Sequence, residues 1–187
     1  MYIKGTLEEV LVLSRKAGRE IMSVYTANAL TQQSKSDGSP LTEADMASHN
    51  IIVKGLQRLT PDLPVLSEEA AGISYNVRKN WNRFWLVDPL DGTKEFLKRN
   101  GEFTVNIALI ENGRPIFGVV HAPALGVSYW AEQGRGAYKQ IGDEVAVAIK
   151  VEQCSTREAL RIVGSRSHAD PRQDDLLAHL GGENLRA

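Results

Sequence analysis

Apolar residues recur at helical spacing from the start of the chain, where Leu7, Val10, Leu11, Ala17, Ile21, Val24 and Tyr25 fall on one face. Thr6, with Glu9 three residues later, forms a capping box for this long amphipathic helix. A stretch rich in Ser, Asp and Gly, Ser34 to Pro40, interrupts the pattern. A second helical repeat through Ala44, Ala47, Ile51, Ile52 and Leu59 follows, capped by Thr42 and ended by Pro61. Beyond Pro64 the period changes. Val65-Leu66 and Phe84 to Val87 are apolar runs of strand length that stop at acidic residues. Phe103, Val105, Ile107 and Leu109 alternate, Asn112-Gly113 supplies a tight turn, and Ile116 to Val120 returns, which predicts a β-hairpin. Val127 to Ala131 and Val145 to Ile149 read as further strands, separated by the glycine-punctuated stretch 133–138. Leu160 to Val163 reads as one more strand, and Asp170-Pro171 opens a helix that runs to Gly181. The pattern predicts an α+β domain over 1–152, an antiparallel sheet flanked by helices, and the beginning of a second β-α layer over 153–187.

Composition narrows the class of protein. With 187 residues and 42% hydrophobic content, the chain can bury a sizeable core. Its 22 basic and 23 acidic residues nearly cancel, so no overall field draws it to nucleic acid or an anionic membrane. The single cysteine, Cys154, cannot close an internal disulfide and has no neighbouring His in sequence, so it reads as a buried or neutral thiol rather than a nucleophile. The N-terminus lacks the long apolar run of a signal peptide or membrane span, so a cytoplasmic protein is the expectation.

The chemistry concentrates in Trp85 to Phe96. There an apolar strand delivers Asp88 and Asp91 across a proline turn to a helix start at Gly92 and Thr93. Two carboxylates so placed can hold Mg²⁺, a hard cation that prefers oxygen ligands and is often completed by substrate phosphate. Gly92 and Thr93 then offer backbone N–H groups at the positive end of a helix, where a phosphate is held. Taken singly, either aspartate serves as well as a turn or cap residue. The second acidic pair, Glu68-Glu69, also follows a short strand, and acids at several strand ends make a multi-ligand metal site. His168, Arg166, Ser165 and Ser167 form a polar loop that contacts a ligand in one reading and is merely solvated in the other. Trp81 and Trp85 are most simply packing residues.

Ser67-Glu68-Glu69 followed by Trp85 to Phe96 resembles the metal-binding motif of the lithium-sensitive inositol monophosphatase superfamily. The stretch Lys35 to Asp45, the ending Lys94-Glu95-Phe96 and the segment Ser165-Arg166-Ser167-His168 resemble its branch of 3′(2′),5′-bisphosphate nucleotidases. The resemblance implies a layered sandwich of the inositol-monophosphatase/fructose-bisphosphatase type. It implies that Glu68, Asp88 and the carbonyl of Leu90 hold one Mg²⁺, that Asp88 and Asp91 share a second, and that Asp45 supports a third, weaker ion. Thr93, with Glu68 or Asp37, is implied to orient and deprotonate the attacking water, while Gly92, Thr93, Arg166 and His168 contact the substrate. The implied reaction is in-line hydrolysis of the 3′-phosphate of adenosine 3′,5′-bisphosphate to AMP, a scavenging step of sulfur assimilation, with lithium as an inhibitor.

The family closes its site with a later Trp-Asp segment that has no counterpart here, so the chain is expected to be C-terminally incomplete, with a weakened second metal position. The partner expected is a small phosphorylated nucleotide, with no nucleic acid and no membrane span, and both a homodimer and peripheral membrane association are compatible with the resemblance. Two alternatives stand beside the nucleotidase: an inositol monophosphate or sugar phosphate phosphatase, and a non-catalytic chain that only binds metal or phosphate.

Overall fold

In the computed structural model, residues 6–26, 32–34, 40–70 and 72–151 are described, with side-chain burial given for 7–26, 43–70 and 72–151. The chain divides into two compact units, Met1–Lys150 and Val151–Ala187. All of the second unit beyond Val151 lies outside the described residues, including Cys154, the expected strand at 160–163 and the expected helix from Asp170.

The first unit begins with α1 (Thr6–Thr26), a short antiparallel ribbon of β1 (Gln32–Ser34) and β2 (Pro40–Thr42), and α2 (Glu43–Leu59). A seven-stranded sheet follows. It comprises β3 (Val65–Ser67), β4 (Arg83–Asp91), β5 (Thr104–Glu111), β6 (Arg114–Ala122), β7 (Val127–Glu132), β8 (Gly136–Ile141) and β9 (Val147–Ile149), with the strands side by side in chain order. Two short helices, α3 (Tyr75–Arg78) and α4 (Thr93–Lys98), stand on either side of β4 in the chain. The β5–β6 turn has Asn112 at φ 50° and Gly113 at φ 74°. Paired positive φ values match the right-handed twist of the two strands, and Asn-Gly tolerates them best.

Two expectations are corrected. The sheet is mixed rather than antiparallel, because β3 runs parallel to β4 with Val65, Leu66 and Ser67 opposite Trp85, Leu86 and Val87. The stretch beyond Gln133 is not only a connection: Gly134 and Arg135 belong to a turn, and Gly136–Ile141 is strand β8 between β7 and β9. The glycines there mark a turn and a strand start, and the weakly apolar GAYKQI gives little alternation to read.

Alternation along each strand sets the two faces of the sheet. Trp85, Val87, Val105, Ile107 and Val119 are buried, and they form one core with Val10, Ala17 and Ile21 of α1 and Ile52 and Leu56 of α2. Leu86 and Val120, one residue out of phase, lie on the other face and are exposed among the described residues. Trp85 anchors the core. Its ring meets Phe117 edge-on at 6.2 Å, and its indole N–H donates to Thr60 Oγ1 at 2.8 Å. Replacing Trp85 with Ala removes the largest fully buried side chain among the described residues and the donor to Thr60 Oγ1, which keeps its own bond to Leu56 O at 3.1 Å. The expected cost is about 3–5 kcal/mol, read as a lower urea midpoint with unchanged slope.

Candidate metal and phosphate site

The parallel register brings the acids together. With Ser67 opposite Val87, Glu68 leaves the end of β3 beside Asp88, which is still within β4 and pairs with Asn106 of β5, and the Glu68 N–H donates to Val87 O at 3.0 Å. Both line one cleft at the open face of the sheet, with Asn106 beside them. The β4–β5 pairing then shifts register between Asp88 and Asp91, so Pro89 and Leu90 form a bulge. Proline has no N–H to offer the ladder, which is why the strand gives way there.

Each backbone group freed by the bulge finds a use. The Pro89 carbonyl accepts from the buried Ser48 hydroxyl at 2.7 Å. A backbone hydrogen bond from Leu90 reaches the Asp88 carboxylate, and the Leu90 carbonyl accepts from Thr93 Oγ1 at 3.4 Å. Asp91 is exposed and accepts from Asn106 Nδ2 at 3.2 Å. Gly92 sits at φ 93°, and its amide position abuts the β5 approach, where an added Cβ would meet the Glu102 carbonyl at 2.8 Å. The six-residue α4 that follows is held by a triad of rings, with Phe96 5.0 Å from Tyr25 and 5.2 Å from Phe103. The helix starts at Thr93 with Gly92 before it, and because it is only six residues long the free N–H groups there contribute more to holding an anion than a macrodipole does.

Electrostatics single out Asp88. Burial, the Glu68 and Asp91 carboxylates and a hydrogen bond with the Glu68 side chain push its pKa up to about 7, against a smaller opposing effect of the Leu90 hydrogen bond. Asp88 Oδ1 is buried and meets no hydrogen-bond donor among the described residues. Such a clustering of carboxylates is costly alone and favourable around a cation. The oxygen-only donor set of Glu68, Asp88, Asp91 and the Leu90 carbonyl fits a hard divalent ion. Among the described residues no three His, Cys, Asp or Glu side chains form a ready-made metal cluster; the close carboxylate pair is Glu68 with Asp88, and Asp91 interacts with it through its charge.

The raised pKa predicts a stability profile. Between the ordinary 3.8 and about 7 the folded chain keeps a proton that the unfolded chain has released. The associated stability is full below 3.8 and is lost as pH rises through about 7. Because Asp88 is only half-buried, solvent screening reduces the effect to on the order of 1–2 kcal/mol. The metal-free chain should melt at lower temperature at pH 8 than at pH 5. The Asp88→Asn variant should lack this part of the slope, and Mg²⁺ should stabilise the wild type most at the higher pH.

Of the remaining sequence-predicted residues, Asp45 lies on α2 and is buried, 1% exposed. Asp37, Arg166 and His168 lie outside the described residues, as do Ser165 and Ser167 and the side chain of Thr42. Residues absent from the sequence reading are also part of the site. His49 Nδ1 and Ser67 Oγ share a 2.8 Å hydrogen bond directly before Glu68, with burial lowering the His49 pKa more than the Glu69 carboxylate raises it. Asp45, Ser48 and His49 fall at i, i+3 and i+4, so a polar stripe on an otherwise amphipathic helix was the available signal. Asn106 is a polar residue inside an apolar alternating strand, directly opposite Asp88.

Comparison with known proteins places this geometry among relatives. The sequence model of the inositol monophosphatase family matches residues 6–184. A 3′(2′),5′-bisphosphate nucleotidase CysQ of Salmonella typhimurium is 51% identical over 176 residues, which is 94% of this chain and 69% of that protein. The crystal structure of CysQ from Bacteroides thetaiotaomicron, a bacterial member of the inositol monophosphatase family, matches with a TM-score of 0.81 at 38% identity, over 99% of this chain and 72% of that one. The extragenic suppressor protein suhB of Bartonella henselae matches with a TM-score of 0.80 at 26% identity, over 98% of this chain and 70% of its own.

Proposed function

The chain belongs to the inositol monophosphatase family, and from that premise we propose that it is a Mg²⁺-dependent 3′(2′),5′-bisphosphate nucleotidase that releases the 3′-phosphate of adenosine 3′,5′-bisphosphate. The observation that carries the chemistry is the meeting of Glu68, just past the end of β3, with Asp88 of the parallel strand β4, with Asp91 and Thr93 across the bulge. The substrate class rests on the 51% identity to a nucleotidase.

In this reading Glu68, Asp88, Asp91 and the Leu90 carbonyl would hold Mg²⁺, with Asp45 supporting a further, weaker ion. When bound, the metal supplies Lewis-acid activation of water and neutralises charge on the leaving group. The chain's own groups supply position. Thr93 Oγ1, tied to the Leu90 carbonyl, orients the incoming water, and Glu68 accepts its proton, with Asp37 as the second candidate for that task. The N–H groups of Gly92 and Thr93 hold the phosphate, and Arg166 and His168 contact the remainder of the nucleotide. Ser48 and His49 keep the two strand ends at fixed separation through Pro89 and Ser67. The metal-binding domain is assigned to 1–152 and the start of the substrate domain to 153–187. The reading also has the enzyme cytoplasmic and acting on a free small molecule, and it is compatible with a homodimer. Among the described residues no helix is long and apolar enough to cross a membrane.

Phosphate release with Mg²⁺ tests the assignment, with adenosine 3′,5′-bisphosphate, inositol monophosphate and a sugar phosphate compared at equal concentration. The bisphosphate should have the highest kcat/KM by at least about tenfold, a discrimination of roughly 1.4 kcal/mol. Preference for inositol monophosphate would move the chain to another branch of the family, and Mg²⁺-independent background release from all three would reject catalysis.

A further inference from the structure

A second cleft, of about 590 Å³, opens between α1 and the far end of β6 and shares no lining residue with the one at Glu68 and Asp88. Its walls carry Arg15 and Arg19 from successive turns of α1 and His121 from β6. Arg15 is half-buried and already oriented: Nη2 donates to Gln140 Oε1 at 2.8 Å and Nε to Ser128 Oγ at 3.4 Å. The same Ser128 hydroxyl, 1% exposed, lies 3.0 Å from His121 Nδ1, which also reaches Val127 O at 3.1 Å. A carbonyl only accepts, so Nδ1 carries the hydrogen and Nε2 is the nitrogen left for a ligand. Nε2 has no hydrogen bond among the described residues. It sits against Gly18, where a Cβ would come within 2.8 Å of it, so glycine lets α1 lie on the ring.

Two guanidinium groups and a histidine that is only 7% exposed therefore share one cleft. Asp143, in the turn after β8, is the one acid on its wall, and among the described residues neither arginine has a carboxylate ion-pair partner. Arg15 is half-buried and Arg19 exposed, and even with Asp143 the cleft keeps an excess of positive charge that attracts an anion.

We propose that this cleft is a second ligand site, separate from the metal-dependent centre, which takes a small phosphate-bearing anion between Arg15 and Arg19 with His121 as the third contact. The planar fork of arginine matches phosphate oxygens, and the tethering of Arg15 reduces the ordering cost of binding. The volume suits a metabolite rather than a macromolecule. Burial, and then the Arg15 and Arg19 charges, hold the His121 imidazole below its ordinary pKa, although the Val127 hydrogen bond opposes them. A bound dianion reverses the field of the arginines, so the anion and a proton on His121 bind cooperatively.

The test follows the imidazole C–H signals of the metal-free chain by NMR across pH, with inorganic phosphate against chloride at matched ionic strength. The His121→Gln variant identifies the resonance among those of four histidines, and through-bond assignment does so if that variant fails to fold. Phosphate should raise the His121 pKa by about one unit, a tenfold linkage between proton and anion. The exposed Arg19→Gln change should weaken phosphate binding about tenfold by this readout, the loss of one charge-assisted contact. Asp88→Asn should leave the response intact, which keeps it distinct from phosphate at the catalytic centre. Equal effects of phosphate and chloride, an unchanged response in Arg19→Gln, or loss of the response in Asp88→Asn would each overturn the second site.

Discussion

Replacing Asp88 with Asn should abolish Mg²⁺-dependent phosphate release, by at least about 10³-fold in kcat, while leaving the metal-free chain no less stable than the wild type. The loss follows from position. Asp88 is coupled through its charge to both Glu68 and Asp91, and it offers a buried oxygen that meets no donor among the described residues. The amide keeps the shape but removes the charge that holds the cation, and removal of a single well-placed electrostatic contact alone costs about 10²–10³. The unchanged or raised stability follows from the same crowding, since the neutral amide relieves the repulsion that pushes the Asp88 pKa up to about 7. Initial rates at saturating Mg²⁺, with thermal melts in a chelator, check both halves. An inactive variant that is also strongly destabilised would instead make Asp88 a folding residue, and a variant with wild-type kcat would remove it from the centre.

Substituting Gly92 tests the turn between the acids and Thr93. Its φ of 93° is open to glycine and strained for any other residue, and a Cβ would press on the Glu102 carbonyl at 2.8 Å and on Phe103 Cα at 3.3 Å. Backbone cannot swing aside as a flexible side chain does. The Gly92→Ala chain must shift the loop or the start of β5, at an expected cost of about 2–3 kcal/mol. Moving the loop displaces Thr93 relative to Asp91, and a displacement near 1 Å costs about 10²-fold in turnover. Urea midpoints and kcat should therefore fall together in Gly92→Ala, and further in Gly92→Val, because a β-branched residue tolerates positive φ least. Wild-type turnover in both variants would show that the loop does not set the position of Thr93.

Much of the first unit was legible because its signals are local. The apolar stripe of Leu7 to Tyr25 and that of Ala44 to Leu59 give helices Thr6–Thr26 and Glu43–Leu59, since neighbours on a helix face are only three or four residues apart. Asn112-Gly113 gives the hairpin by its own backbone preferences. The acids after two apolar runs could be read as candidates for the same reason. β8 was less legible, because a strand held by its neighbours on both sides does not need a strongly apolar sequence of its own.

Sequence by itself thus determined which segments become helices, where the hairpin turns, and which carboxylates follow the apolar runs, all of it through interactions spanning a few residues. Tertiary structure alone decided that β3 runs parallel to β4 in the register that sets Glu68 beside Asp88. It also decided that Ser48 and His49 reach Pro89 and Ser67, and that Arg15 meets Ser128 and Gln140 more than a hundred residues away. Strand direction and register follow from how the whole core packs, and a distant pair leaves no periodicity in the chain between its members.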